Sequence, residues 1–228
     1  MSRFAQPRWL LLPAALLVPD PAVAAGGPHM IDDSEVETPG GCHAEGWVTR
    51  SSYGQWHASG GAGCTPEALP TVELGAFASH SSSPGSSDTL VGLTPKLTLR
   101  PAVSGLGLAL AGALGYGLDR SRLEAAALIG AVTVPAGDRL TLNLNGGWGW
   151  SETGHGHDLF VGAQAEFAAG PDVTLMAEAF TRDHGRAGAQ AGLRWNPGGG
   201  RVDVDLLAGR YLDGATPTSV TLGLTVRP

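Results

Sequence analysis

Leu140-Thr141-Leu142-Asn143-Leu144-Asn145 alternates apolar and polar residues without a break. In a β-strand successive side chains point to opposite faces, so this stretch offers leucines to one side and Thr/Asn to the other. The same period runs outward in both directions. Val202-Asp203-Val204-Asp205-Leu206 and Val220-Thr221-Leu222-Gly223-Leu224-Thr225-Val226 repeat it. Leu159, Val161, Ala163, Ala165 and Phe167 oppose Phe160, Gly162, Gln164 and Glu166, and Val173, Leu175, Ala177 and Ala179 oppose Thr174, Met176, Glu178 and Phe180. Ala187, Ala189, Ala191 and Leu193 oppose Gly188, Gln190, Gly192 and Arg194. A soluble β-sandwich also alternates, but its outer face carries Lys and Thr, and Lys is nearly absent here. Alternation in segments of about ten residues, cut by Gly/Pro/Asp turns, instead fits strands that face lipid on one side and a polar lumen on the other.

Turn signals set the strand count. Short turns fall at Pro101–Ser104, Pro135–Asp138, Ala169–Asp172 and Asn196–Gly200. Longer or more polar connections are expected at Ser81–Asp88, Asp119–Ser121, Ser151–His157, Asp183–Arg186 and Asp213–Thr218. Short turns at one rim and longer loops at the other match the rule for transmembrane barrels. Ten strands follow Val72, and a hairpin of His43–Arg50 and Gln55–Gly61, turning near Tyr53-Gly54, adds two. The expected fold is therefore all-β: a transmembrane antiparallel up-and-down β-barrel of ten to twelve strands, about twelve. Leu123–Val134 is apolar on both faces, which leaves its parity open.

The N-terminus carries Arg3 and Arg8, an apolar run from Trp9 to Val18 and then Ala22-Val23-Ala24, the layout of a Sec-type signal peptide. The apolar run is too short to span a bilayer as a helix, which takes ~20 residues. Residues 1–25 are read as the signal peptide and 26–228 as one barrel domain, with 26–41 a periplasmic segment ahead of the first strand. The chain is thus expected in a bacterial outer membrane. Cys42 and Cys64 in an exported chain are expected to form a disulfide. A metal site of both with His43 is the alternative, and no CxxC or HxxxH spacing supports it.

A formal charge of −7 argues against nucleic acid as a partner. The partners expected are outer-membrane lipid, a small-molecule solute, and the periplasmic chaperones and assembly machinery that insert barrels. No phosphate-cradling Gly loop, HExxH or GxSxG elbow is present, so neither a cofactor nor an enzymatic role is expected. His80-Ser81-Ser82-Ser83 resembles the His/Ser pairing of lipid A deacylases, but Ser81–Ser87 reads as a loop too mobile to preorganise a nucleophile.

Alternation assigns Glu45, Glu73, Lys96, Asn143, Asn145, Gln164, Glu166, Glu178, Arg182, Gln190, Arg194, Asp203 and Asp205 to the lumen. Charges in a narrow lumen need partners, so Arg182, Arg194 and Lys96 are expected to meet Glu166, Glu178 and the aspartates. The excess of carboxylate favours cationic or neutral solutes if the lumen is open. His155 and His157, in a loop with Glu152 and Asp158 and beside Asp183-His184, are weak metal candidates. Trp47, Trp56, Tyr116, Trp148, Trp150, Trp195 and Tyr211 sit near strand ends, where aromatic girdles are expected.

Ile31-Asp32-Asp33-Ser34-Glu35-Val36-Glu37-Thr38-Pro39-Gly40, followed by Cys42-His43-Ala44-Glu45-Gly46-Trp47, resembles the start of a family of outer-membrane proteins labelled for the meta-cleavage pathway of phenol degradation and often called transporters. Thr94-Pro95-Lys96-Leu97, Ala177-Glu178-Ala179-Phe180, Gln190-Ala191-Gly192-Leu193-Arg194 and Thr221–Val226 extend the resemblance across nearly the whole mature chain. The resemblance implies a barrel of this size and passive passage of small molecules, hydrophobic or aromatic ones included. A closed structural barrel and a lipid A-modifying enzyme are the alternatives.

Overall fold

The computed structural model describes residues 28–153, 156–184, 187–198, 200–211 and 218–228; the expected signal peptide and His155 lie outside these. Twelve strands form the wall: β1 Cys42–Ser51, β2 Trp56–Cys64, β3 Val72–Ser83, β4 Ser86–Arg100, β5 Gly107–Gly117, β6 Arg122–Pro135, β7 Leu140–Ser151, β8 Gly156–Ala168, β9 Val173–Arg182, β10 Gly188–Trp195, β11 Val202–Tyr211 and β12 Thr218–Val226. Each pairs antiparallel with its sequence neighbours, and β1 pairs with β12 from Ala44↔Val226 to Ser51↔Ser219, which closes the barrel. Closure removes every unpaired strand edge.

The wall is an inverted core. Leu159 on β8 and Leu222 on β12 are 59 % and 58 % exposed, whereas Asn143 on β7 and Asp205 on β11 are 1 % and 0 % exposed. The exposed leucines and valines form a band around the outside, as a lipid-facing wall requires. Inside, Ala109, Ala111 and Ala113 of β5 are buried small residues that let opposite walls approach.

The first hairpin lies where the sequence puts it. Cys42 and Cys64 are direct partners at its base and form a disulfide, and Tyr53, at φ 68°, turns the other end with Gly54. Two expectations about connections change. Ser81–Asp88 is strand rather than loop: Ser81↔Asp88, Ser82↔Ser87 and Ser83↔Ser86 pair across a turn of Pro84-Gly85. Among the connections described in full the contrast between short and long also fades, while those expected at Ser151–His157, Asp183–Arg186 and Asp213–Thr218 lie partly outside the described residues. The rim beside Cys42 has connections 65–71, 101–106, 136–139 and 169–172, and the opposite rim has 52–55, 84–85 and 118–121. Polar composition had marked as loop what pairs as strand, because serines on both faces of a hairpin still satisfy the ladder.

The doubly apolar stretch is the single strand β6. Its outer face joins the lipid-facing band, and its inner face carries Ile129 into a buried cluster and buries Ala131 as well. A bulge against β5 turns Glu124 inward, where Arg120 Nη1 donates to it at 2.9 Å. Of the aromatic residues expected at the girdles, Trp47 lines the interior with its ring 6.4 Å from that of His57. Tyr211, on the inward face of β11, packs edge-on against Phe180.

Residues 28–37, part of the segment expected to be periplasmic, run inside the barrel, and 38–41 turn at the rim beside Thr65. This extended strap fills much of the lumen, and its fit there defines the site.

Candidate functional site: the strapped lumen

Inward positions fall into register across the wall. Asn143, Gln164, Glu178 and Gln190 are successive cross-strand partners on β7 to β10, Glu73 faces Lys96 across β3–β4, and Arg194 faces Asp205 across β10–β11. Lys96, Asn143, Asn145, Gln164, Glu178, Asp203 and Asp205 are buried there. Glu45, Glu73, Glu166, Gln190 and Arg194 share the inward face at intermediate burial. Arg182 is inward too but stands toward the opposite rim, its guanidinium 5.8 Å from the centre of the Phe160 ring.

Most of this polar surface holds the strap. Glu178 accepts the N–H of Met30 at 3.0 Å and that of Ile31 at 3.2 Å. Asn145 clamps Asp32 through the backbone, accepting its N–H at 2.7 Å and donating to its carbonyl at 2.8 Å. The Ser34 N–H donates to Thr133, and the Thr98 hydroxyl donates to the Ser34 carbonyl at 2.7 Å. Gln190 donates to the Pro28 carbonyl and to Glu178. An extended segment surrounded by wall has no water to satisfy its backbone, so side chains of the wall take that role.

Three glycines make room for it. A Cβ on Gly162 would lie 2.2 Å from Ile31 Cδ1, one on Gly107 would lie 2.0 Å from Ser34 Oγ, and one on Gly223 would lie 2.8 Å from Pro28 Cγ. Ile31 then packs with Ile129, Phe160 and Phe180.

The ion pairing follows the expected pattern in part, with Arg194 meeting an aspartate of the wall and Lys96 turning to the strap. Lys96 Nζ bonds Asp32 and Asp33 of the strap, each at 2.9 Å. Arg194 pairs with Asp205 at 2.8 Å, and His29 Nε2 lies 3.6 Å from the same carboxylate. Arg227 bridges Glu37 of the strap at 2.8 Å and Asp203 at 2.7 Å. Glu166 accepts from Asn143 Nδ2 and Glu178 from strap amides, so among the described residues neither forms the expected ion pair with Lys96, Arg182 or Arg194. Sequence parity finds the wall residues but not His29, Asp32, Asp33, Glu37 or Arg227, which lie outside the strands. The paired aspartates beside an apolar Ile31 were the only signal there.

Beside the strap a cavity of about 360 Å³ remains, lined by Glu45, Trp47, His57, Glu73 and Phe77 of β1–β3, by strap residues Asp32, Asp33 and Glu37, and by residues of β4 and β8–β12 such as Met176 and Arg194. It is a solute-sized space inside a closed wall.

Two other features stand apart. His57 Nδ1 meets Ser81 Oγ at 2.8 Å on the inner face, and His80 Nδ1 meets Thr89 Oγ1 at 2.9 Å on the outer face. His80 and Ser81 therefore point to opposite sides of the wall. Of the weak metal candidates, His157 stacks on Trp148 with ring centres 5.5 Å apart. The metal-ligand atoms that do converge among the described residues belong to Asp158, Asp183 and His184, within 4.8 Å of one another. Asp183 sits at the rim, and the Leu159 N–H donating to it holds its carboxyl below the usual range.

A closed antiparallel barrel, apolar outside and polar within, has the architecture of a transmembrane β-barrel. Solved structures with this fold include the KdgM porin in complex with disordered oligogalacturonate, at 8 % identity and a TM-score of 0.63, covering 81 % of this chain and 98 % of that one. The COG4313 outer membrane channel from Pseudomonas putida F1 is 14 % identical with a TM-score of 0.61, covering 86 % of this chain and 98 % of the channel. The NanC porin is 7 % identical with a TM-score of 0.59 over 81 % of this chain and 98 % of its own. At these identities the likeness is one of fold. No curated protein matches the sequence. Over residues 13–228 the chain belongs to a family described as Uncharacterised conserved protein UCP029691. That description carries no phenol-pathway label, so the label suggested by the sequence resemblance is not supported.

Proposed function

We propose that this protein is a passive channel of the bacterial outer membrane, narrowed by its own N-terminal strap. The observation that carries this reading is the cavity of about 360 Å³ left beside the strap within a closed wall. A barrel built only for rigidity has no reason to keep solute-sized polar space. The volume lies near the low end of ligand pockets, roughly 300–1,000 Å³, and suits a solute of about one ring. Trp47, Phe77 and Met176 in the lining support aromatic or partly apolar solutes, as the sequence resemblance suggests. The leucine band is then the lipid contact, and assembly machinery for barrels is the expected partner in insertion.

A closed barrel is the second reading, favoured by the packing of Ile31 against Ile129 and Phe160 across the lumen. Solute entry into liposomes bearing the refolded chain separates the two, with heat-modifiable gel mobility reporting a closed barrel in the same sample. Entry of small aromatics that changes in Arg194→Ala establishes the channel. A folded barrel that passes nothing leaves the closed reading.

A further inference from the structure

The charge of the cavity is one-sided. Eight carboxylates and three Lys or Arg side chains line it among the described residues. All three cations are already engaged: Lys96 with Asp32 and Asp33, Arg194 with Asp205, and Arg227 with Glu37 and Asp203. Glu73 and Glu166 accept from neutral donors, the Glu37 N–H at 3.0 Å and Asn143 Nδ2 at 2.8 Å. His43 Nδ1 stands 3.9 Å from Glu73 and 3.5 Å from Glu37, and is itself buried without a hydrogen bond.

Among the described residues, one solvent-buried carboxylate oxygen of the lining has no hydrogen-bond partner. Asp32 is 6 % exposed; its Oδ1 takes the bond from Lys96, while Oδ2 is buried with no hydrogen-bond partner. A buried carboxylate oxygen without a donor is costly, and a cationic N–H group is what satisfies it best. Aromatic surface lies in the same lining: Trp47, Phe77 and His57. Carboxylates beside aromatic faces suit an organic ammonium, whose charge meets the oxygens and whose body meets the rings.

We infer that the cavity beside the strap is a binding site for a small organic cation, an amine with an aromatic or apolar body, seated against Asp32, Glu73 and Trp47. This rests on the channel reading only for where the ligand travels, not for whether it binds. An anion of the same size finds no unengaged cation in the lining, and a neutral analogue leaves the carboxylates unanswered.

The test is calorimetric titration of the full chain, folded in detergent micelles, with benzylammonium, benzyl alcohol and benzoate. The three share a ring and differ in charge. Benzylammonium is expected to bind at least about tenfold tighter than the alcohol, with no detectable heat from benzoate. Glu73→Gln and Asp32→Asn are each expected to weaken the ammonium by about threefold or more. Asp32→Asn keeps the Lys96–Asp33 pair, and heat-modifiable mobility confirms that each variant folds. Equal affinity for the three ligands, preference for benzoate, or ammonium binding unchanged in both variants overturns the inference. Ammonium bound by a barrel that admits no solute to liposomes keeps the site and removes the channel; entry without a preference for charge, in a barrel that binds no ammonium, does the reverse.

Discussion

Lys96 on β4 reaches across the lumen interior to Asp32 of the strap, Nζ to Oδ1 at 2.9 Å, with both side chains buried. It is the single lysine in the sequence, and its second bond goes to Asp33. The ammonium is thus the electrostatic anchor of the strap. Removing one partner of a buried pair leaves a charge without compensation, a cost of about 3–5 kcal/mol.

Lys96→Met is therefore expected to release the strap by about 3 kcal/mol while the wall, closed by backbone pairing, persists. Amide hydrogen exchange at Ile31, Asp32 and Ser34 is the measurement. Those amides should lose protection relative to strand amides in the same sample. Protection equal to the parent protein would show that the clamp by Asn145, Thr98 and Thr133 suffices alone.

Gly162 provides a steric counterpart. A Cβ there meets only the terminal Cδ1 of Ile31 below 3.0 Å, with Phe180 Cβ at 3.1 Å and the Ala179 carbonyl at 3.2 Å. Ala at this site asks Ile31 to rotate, and the change should be small. Val adds methyl groups against Phe180 and backbone, an overpacking cost of roughly 1–3 kcal/mol. Gly162→Val should raise exchange at Met30 and Ile31 well above the Gly162→Ala level; indistinguishable variants would place the strap elsewhere.

This glycine also marks what the sequence could convey. Strand parity located Asn143, Gln164, Glu178 and Gln190 because a period of two leaves no choice of face once one face is apolar. The strap obeys no such period. Its bonds to Glu178 and Asn145 are backbone bonds, which any residue types could make, so nothing in Met30 or Ile31 announces them. Inward glycines such as Gly162 read as strand fillers until the segment they admit is seen. The pairing of Ser81–Ser83 with Ser86–Asp88 was hidden for the opposite reason: polar residues on both faces imitate a loop.

The Cys42–Cys64 bridge joins adjacent strands at the rim where β1 and β12 meet, closing 22 residues of chain. The chain-entropy model gives such a loop about 3 kcal/mol. Reduction, or replacement of both cysteines by serine, should lower the temperature at which the barrel loses its folded gel mobility. The β1–β2 hairpin should be the first to gain exchange. A melting temperature unmoved by reductant would mean that cross-strand pairing already restrains this hairpin when unfolding begins.

Deleting residues 28–38 tests the strap and the lumen charge together. The strap brings Asp32, Asp33, Glu35 and Glu37 into the lining, and its departure frees Lys96 and removes one carboxylate from Arg227. The wall keeps its closing ladder from Ala44↔Val226 to Ser51↔Ser219, so the barrel should still form. Planar-bilayer recordings in a salt gradient should then show higher conductance, because the strap no longer occupies the lumen. The reversal potential should move away from cation preference, because the deletion removes four carboxylates and no Lys or Arg. Higher conductance with cation preference intact would assign selectivity to the wall carboxylates Glu45, Glu73 and Glu166 alone. Conductance no higher than that of the full chain would mean that wall side chains such as Phe160 and Phe180, against which Ile31 packs, limit the passage without the strap.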